Sequence, residues 1–218
     1  KMGRKVNPKA IRIGINRTWD SVWYAPKAKY SDILGQDLEI KKRVQKAMKD
    51  AGIDSIKINR SLNRIEIIAY VARPGVAIGR GGEGIDLLQK ELKRLTQTKE
   101  LELKIREVRK ADLSARIVAR SIADGIERRQ PSKLVVASAK EKIMAAGAKG
   151  LKIWVSGRIN NASQARTVKT TAGSVPAQTL RADVDYAHEV AHTIDAGLMG
   201  IKVWIYRGEK NNTDESEE

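Results

Sequence analysis

Ile78-Gly79-Arg80-Gly81-Gly82-Glu83-Gly84 joins an apolar, strand-patterned segment at 64–72 to a helix-patterned one at 85–95. Glycines flank a lone arginine at the junction. Backbone without side chains lets a bulky charged partner come to main-chain distance, and glycine tolerates the positive φ that such a bend requires. The helix that follows aims its unpaired N–H groups, and the positive end of its dipole, back at the same spot. A phosphate is the natural guest there, with Arg80 adding a formal charge.

The composition bears on whose phosphate it is. The 218-residue chain carries 42 Lys and Arg against 26 Asp and Glu, a formal charge of +16. That exceeds what solubility requires and points to a polyanionic partner. Through Lys110 there are 26 basic residues against 13 acidic, and beyond it 16 against 13, which puts the glycine loop in the more basic half. Cysteine is absent, which excludes disulfides and thiolate metal sites and fits a reducing compartment. No apolar run reaches the roughly 18 residues of a membrane span, and no signal-peptide pattern opens the chain. Asn7 stands where a myristoylation motif needs Ser or Thr. The expectation is a soluble, intracellular protein with no cofactor, no metal and no membrane partner.

Along the chain, residues 1–36 read as a basic arm, with Asn7-Pro8 as a breaker and Trp19, Trp23 and Tyr24 near its end. Ile40, Val44, Ala47 and Met48 recur at helical spacing over 37–50, and Gly52 ends that helix. Strands are predicted at 53–59 and 64–72 around a hairpin turn at Ser61-Leu62-Asn63. Pro74-Gly75 breaks the second strand, and Val76-Ala77-Ile78 reads as a connector. Ile85, Leu88, Leu92 and Leu95 give the next helix one apolar face, and 101–106 alternates as a half-buried strand.

The composition changes at Lys110. A helix is predicted over 111–129 with Leu113, Ile117, Ile122 and Ile126 as its stripe. Another follows over 132–146, started by Pro131 and closed by Gly147 and Gly150. Strands are expected at 151–155, 166–171, 180–186 and 201–205. The acidic stretch 211–218 lacks an apolar anchor and reads as disordered. The expected division is an arm at 1–36, a first α+β domain at 37–110, a second at 111–208, and an acidic tail at 209–218. The second domain should pack two helices on a mostly antiparallel sheet.

Two glycine templates fit the loop. Gly79-x-Gly81-x-x-Gly84 matches the dinucleotide fingerprint, while Gly79-Arg80-Gly81-Gly82 matches the G-x-x-G loop with which KH domains clamp RNA backbone. A dinucleotide fold needs its strand to run straight into the first glycine, with further parallel βαβ units beside it. Residues 73–78 intervene here and the nearby strands form a hairpin, so the RNA clamp fits the context better. His188-Glu189-Val190-Ala191-His192 spells H-E-x-x-H, in which a helix brings two imidazoles and a general base to one zinc ion. These are the only two histidines, and the helix would be brief before Gly197. Solvated histidines in a loop or at a sheet edge are the expected reading, with a zinc protease as the rival. The aromatics are four Trp and five Tyr. No pair is expected on adjacent central strands, so base stacking is not the expected mode, and Trp154 and Trp204 are assigned to a core or sheet edge.

Several long motifs in order then resemble one family. They are Gly3-Arg4-Lys5-Val6-Asn7-Pro8, Arg12-Ile13-Gly14-Ile15 and Trp19-Asp20-Ser21-x-Trp23-Tyr24 near the start, and Arg73-Pro74-Gly75 with Ile78-Gly79-Arg80-Gly81-Gly82 in the middle. Later come Gly147-Ala148-Lys149-Gly150, Val155-Ser156-Gly157-Arg158, Leu180-Arg181-Ala182-Asp183-Val184-Asp185-Tyr186 and Gly200-Ile201-Lys202-Val203-Trp204-Ile205. Together they are similar to the bacterial small-subunit ribosomal protein 3 family over nearly the whole chain, missing only the acidic tail. The resemblance implies a type II KH domain followed by a C-terminal α+β domain. It implies a non-catalytic role on a cytoplasmic or organellar ribosome, in the head of the small subunit. There the family binds ribosomal RNA and borders the entrance of the messenger RNA channel. The tenth and fourteenth proteins of that subunit lie beside it, with the fourth and fifth across the channel. A free-standing KH-type RNA regulator would share the loop without the later motifs.

The chain departs from the family in two places. After Glu127-Arg128-Arg129 the family's denser basic cluster, associated with gripping or unwinding messenger RNA, thins to Lys133 among Leu134, Val135 and Ala137. Asn160 and Asn161 stand where the family usually has two glycines, and the surroundings of Lys169 and Thr170 differ from its aromatic and basic pattern. The RNA contacts expected are Gly79, Arg80, Gly81 and Gly82 with Arg73 close by. Phosphate neutralisation is expected from Arg4, Lys5, Lys9, Arg12 and Arg17 in the arm, from Arg128, Arg129 and Lys133, and from Arg158, Arg166 and Arg181. If about six or more of these meet phosphates, RNA affinity falls about a thousandfold or more between low and moderate salt. Filter binding across a salt series reads that slope, and a flat response contradicts an electrostatic mode.

Overall fold

The computed structural model describes residues 5–61, 64–96 and 100–209, without the side chains of Arg80 and Glu83. The chain divides into two compact units, one of residues 19–109 and one of residues 1–18 with 110–218. The arm expected at 1–36 is therefore not a single element. Its first half belongs with the second unit and its remainder with the first. Grouped by the fold, the first unit has 19 basic residues against 13 acidic and the second 23 against 13. The larger surplus thus lies away from the glycine loop, which reverses the expectation drawn from the halves of the sequence.

The first unit runs β1 (Ser21–Val22), α1 (Lys27–Ala47), β2 (Ile53–Arg60), β3 (Arg64–Val71), α2 (Pro74–Ile78), α3 (Glu83–Thr96) and β4 (Glu100–Glu107). Its sheet has the order β1-β2-β3-β4. β2 and β3 pair antiparallel, as the predicted hairpin requires, though Leu62 and Asn63 of its turn lie outside the described residues. β4 lies parallel to β3, and β1 is a short parallel edge beside β2. A parallel neighbour cannot be reached by a tight turn, so the chain must cross over, and α2 and α3 make that crossover. Ile56, Ile58, Ile65, Ile67 and Leu101 of the sheet pack on Ile40 and Val44 of α1 and on Leu88 and Leu92 of α3 in one core.

Helices α1 and α2 differ from expectation. α1 begins ten residues earlier than predicted because Tyr30, Leu34 and Leu38 in its first turns stay exposed, leaving no buried stripe to read. The connector at 76–78 is part of α2, with Pro74 presetting its first turn. Residues 19–26 are fastened to this unit by Asp37, only 3% exposed, whose carboxylate accepts from Trp23 Nε1 at 2.7 Å and from Arg60 Nε at 2.7 Å.

The second unit contains α4 (Ala115–Glu127), α5 (Ser132–Ala145), β5 (Gly150–Gly157), β6 (Arg166–Gly173), β7 (Ala182–Thr193) and β8 (Gly197–Glu209). The sheet order is β6-β5-β8-β7, antiparallel throughout. Leu151, Ile153 and Val155 of β5, with Ile201, Val203 and Ile205 of β8, meet Val118, Ile122 and Ile126 of α4 and Val136 and Ile143 of α5. Ala115, Ala119 and Ala123 keep the buried side of α4 small enough to lie close on β7. Ser114 caps α4, so the helix starts four residues later than predicted, after a 3-10 turn at Ala111–Leu113. β8 ends at Glu209, one residue past the expected domain edge, and the tail beyond it lies outside the described residues.

The opposite face of this sheet carries a smaller cluster of Ala182, Val184, Trp204 and Tyr206, flanked by Trp154, Val175 and Tyr186. Trp154 on β5 and Trp204 on β8 are thus an aromatic pair on the two central strands, with ring centroids 5.0 Å apart edge to face. The sequence reading denied such a pair because it lacked the register that joins strands some fifty residues apart.

Leu92 is fully enclosed between α3 and the first sheet, whereas Leu87, one helix face away, is 66% exposed. Leu92→Ala should lower stability by about 2–5 kcal/mol in urea unfolding, and Leu87→Ala by less than about 0.5 kcal/mol. Equal losses would mean that α3 is rotated from this register.

Candidate nucleic-acid interface

The glycine loop forms the bend inside the crossover. α2 ends at Gly79, whose φ is 74°, and Gly81 and Gly82 follow with φ of 65° and 82°. All three lie in the left-handed region that side chains disfavour. A Cβ built at Gly81 or Gly82 would meet nothing within 4 Å, so backbone conformation rather than crowding demands glycine there, and the space above the loop is open. Gly84 differs: a Cβ there would lie 3.4 Å from the Ile78 carbonyl, and its absence lets α3 start close against the end of α2. Arg73 precedes α2, donates to the Asp50 carbonyl at 2.6 Å and remains exposed. The loop, Arg73 and the start of α3 therefore belong to one edge of the first unit.

The cations of the N-terminal segment serve another purpose. Arg12 has no exposed surface, and its guanidinium donates to the carbonyls of Pro8 (2.8 Å), Thr179 (2.9 Å), Ala177 (3.2 Å) and Pro176 (3.4 Å). It is a structural strut, so its assignment as a phosphate ligand is corrected. Arg17 pairs with Asp183 at 3.1 Å and Asp185 at 3.4 Å, and Lys9 pairs with Asp185 at 2.9 Å. Those two charges are likewise engaged within the fold. Asp185 is 2% exposed and also accepts from the Ala115 amide at 2.7 Å and from Arg207 at 3.4 Å. Burial pushes its carboxyl up, but Lys9, Arg207, Arg17 and the Ala115 amide outweigh that and hold it below the usual carboxylate value. Lys5 lies elsewhere, its ammonium 4.9 Å from the centre of the Trp154 ring, and Arg4 is outside the described residues.

The remaining predicted cations gather in two places. Arg128 and Arg129 are exposed on the turn between α4 and α5, and Lys133 is exposed in the first turn of α5; Arg129 takes a φ of 62° and its amide bonds the Ile126 carbonyl at 2.9 Å. None of the three pairs with a carboxylate among the described residues. Arg158 and Arg166 share one end of the β5–β6 pair, since Gly157 is registered opposite Arg166, and Arg158 Nε donates to the Ala162 carbonyl at 2.8 Å. Arg181 is exposed just before β7. Asn160 and Asn161 both adopt φ of 56°, a conformation asparagine reaches more readily than other side-chain-bearing residues. That explains how asparagines stand where the resembling family has glycines.

Residues 188–192 belong to β7, the edge strand, and neither a helix nor a loop. Along a strand, His188 and His192 are separated by roughly 13 Å of backbone, too far for two imidazoles to bind one ion. The H-E-x-x-H pattern here is strand alternation, with Ala187 and Ala191 buried and the histidines outside. Residues missed from sequence are Lys152, Lys169 and Lys202, which register places around Trp154. The repeated pattern Lys152-Ile153-Trp154 and Lys202-Val203-Trp204 was the available signal.

The profile described as KH domain matches residues 39–113, from within α1 to the 3-10 turn before α4. The profile described as ribosomal protein S3, C-terminal domain, matches residues 122–205. Over 218 aligned residues the chain is 45% identical to the small ribosomal subunit protein uS3 of Listeria welshimeri, covering 98% of this chain and 99% of that one. The chain belongs to the uS3 family. Proteins of the same name from Streptococcus sanguinis and Shouchella clausii are 46% and 43% identical over 208 residues, covering 95% of this chain and 94% of each relative. uS3 proteins are structural and non-enzymatic, and after the short edge strand β1 the first unit runs α-β-β-α-α-β, the type II KH order.

Asp185 draws the N-terminal segment, α4 and β8 to one carboxylate, so Asp185→Asn should cost roughly 3 kcal/mol at neutral pH by leaving those cations without it. Because the folded carboxyl titrates below its unfolded value near 3.9, its contribution is full above that value and fades as pH falls through the lower folded one. Denaturant melts at pH 7 and in acid should show the gap between variant and parent narrowing below about pH 4. A constant gap would mean that the carboxylate's charge is not what stabilises the unit.

Proposed function

We propose that this chain is a structural RNA-binding component of the small ribosomal subunit head, holding ribosomal RNA and bordering the messenger RNA channel at its entrance. The observation that supports this reading is the bend at Gly79, Gly81 and Gly82, all at positive φ, where a Cβ at Gly81 or Gly82 would meet nothing within 4 Å. Such a bend accepts a sugar-phosphate chain at main-chain distance, and the amides of α3 favour its negative charge. The exposed turn of Arg128, Arg129 and Lys133 is suited to phosphates of a passing strand, and we assign it the messenger RNA contact. Lys5, Arg158, Arg166 and Arg181 are exposed cations that neutralise further ribosomal RNA phosphates. The tenth and fourteenth proteins of the subunit are its expected neighbours, with the fourth and fifth across the channel, and the ribosome it serves is cytoplasmic or organellar. Its relatives are small ribosomal subunit proteins, which supports the subunit in this reading.

Arg80→Asp tests the loop. It should weaken binding to a single-stranded RNA by about tenfold or more, since it replaces a charged contact with a repulsive one. Its melting temperature should stay with the parent's, because the loop tip carries no core. Unchanged RNA affinity removes the loop from the contact set, and failure of the purified chain to sediment with small subunits removes the ribosomal reading itself.

A further inference from the structure

The outer face of the second sheet carries two registered rows of side chains. Directly opposed residues share a face, so Lys169, Trp154, Lys202 and His188 form one row across β6, β5, β8 and β7. Thr171, Lys152, Trp204 and Tyr186 form the next. Neither row contains an acid. Lys5 reaches this face from the N-terminal segment, and its ammonium and that of Lys169 each lie 4.9 Å from the centre of the Trp154 ring. Among the described residues, none of Lys5, Lys152, Lys169 and Lys202 pairs with a carboxylate. The ring's electron-rich faces hold the two ammonium groups in place, and their mutual repulsion is left without an internal counter-charge.

We infer that Lys5, Lys152, Lys169 and Lys202 around Trp154 form a second RNA site, which binds sugar-phosphate backbone on the outer face of the C-terminal sheet. The inference rests on the RNA-binding reading above but uses no residue of the glycine loop. Burial, and then the charges of Lys5 and Lys169, pull the Lys152 ammonium below its usual value, and a phosphate seated among them relieves that repulsion. RNA fits better than an acidic peptide because backbone phosphates supply closely spaced charges without requiring apolar anchors, and the exposed side chains of these two rows are Lys169, Lys202, Thr171 and His188. Trp154 is already engaged by two ammonium groups, so it orders the lysines rather than stacking on a base. The site therefore reads charge and not sequence.

Amine-acetylation footprinting of the full chain tests this, with an oligouridine of about twelve nucleotides as the probe. RNA should protect Lys5, Lys152, Lys169 and Lys202 by at least about fivefold, equally with oligoadenosine and equally in Arg80→Asp. Lys169→Gln with Lys202→Gln, both exposed on the sheet, should reduce the slope of log affinity against log salt by about two. If RNA binds while these lysines react as freely as without it, or if protection vanishes in Arg80→Asp, the sheet-face site is overturned and the loop reading stands. Equal protection by polyglutamate of similar length reassigns the face to an acidic peptide and overturns the RNA site. A chain that binds neither oligonucleotide overturns both readings.

Discussion

A buried carboxylate needs cations, and that need sorts the positive charge of this chain into two kinds. Asp185 lies almost wholly inside the second unit, where an ionised group survives only with partners close by. Lys9, Arg17 and Arg207 supply the charges and Ala115 supplies an amide, so the N-terminal segment, α4, β7 and β8 converge on one side chain. Asp37 acts similarly in the first unit, where Arg60 and Trp23 close on it. Arg12 follows the same logic with carbonyl oxygens in place of a carboxylate. These cations are held inside the fold. Among the described residues, the cations of the α4–α5 turn and of the outer sheet face pair with no carboxylate and remain open to an external polyanion.

The first unit depends on a geometric constraint as well. Its last strand must lie parallel to β3, so two helices have to cross over between them, and the bend that separates those helices is left-handed at three glycines. Side chains would strain that backbone, while nothing packs above it. The same absence of side chains that lets the crossover turn leaves open backbone at Gly81 and Gly82. Fold and candidate RNA contact thus share one cause.

Much of this was legible in the sequence, because alternation and helical spacing register directly on burial. The hairpin of β2 and β3, strand β4, helix α3 and strands β5, β7 and β8 all follow apolar residues that reach a core, whereas β6 has no buried residue. The first turns of α1 were hidden because Tyr30, Leu34 and Leu38 face solvent, and α2 because Pro74 reads as a breaker as readily as a helix start. Contacts between distant segments were the other gap. Charge shows in a sequence and burial does not, so Arg12 looked like its neighbours although it meets carbonyls more than 160 residues away. The lysines around Trp154 become a group only when the register of β6, β5 and β8 is known.

Division of the cations into internal struts and outward contacts is tested most directly by cross-linking RNA to this chain in small subunits reconstituted around it, with the linked peptides mapped by mass spectrometry. Cross-links are expected at residues 79–82 and on the turn that carries Arg128, Arg129 and Lys133, with Arg12 and Arg17 unlinked. Adducts concentrated on Arg12 and Arg17, with the glycine loop clean, would contradict it.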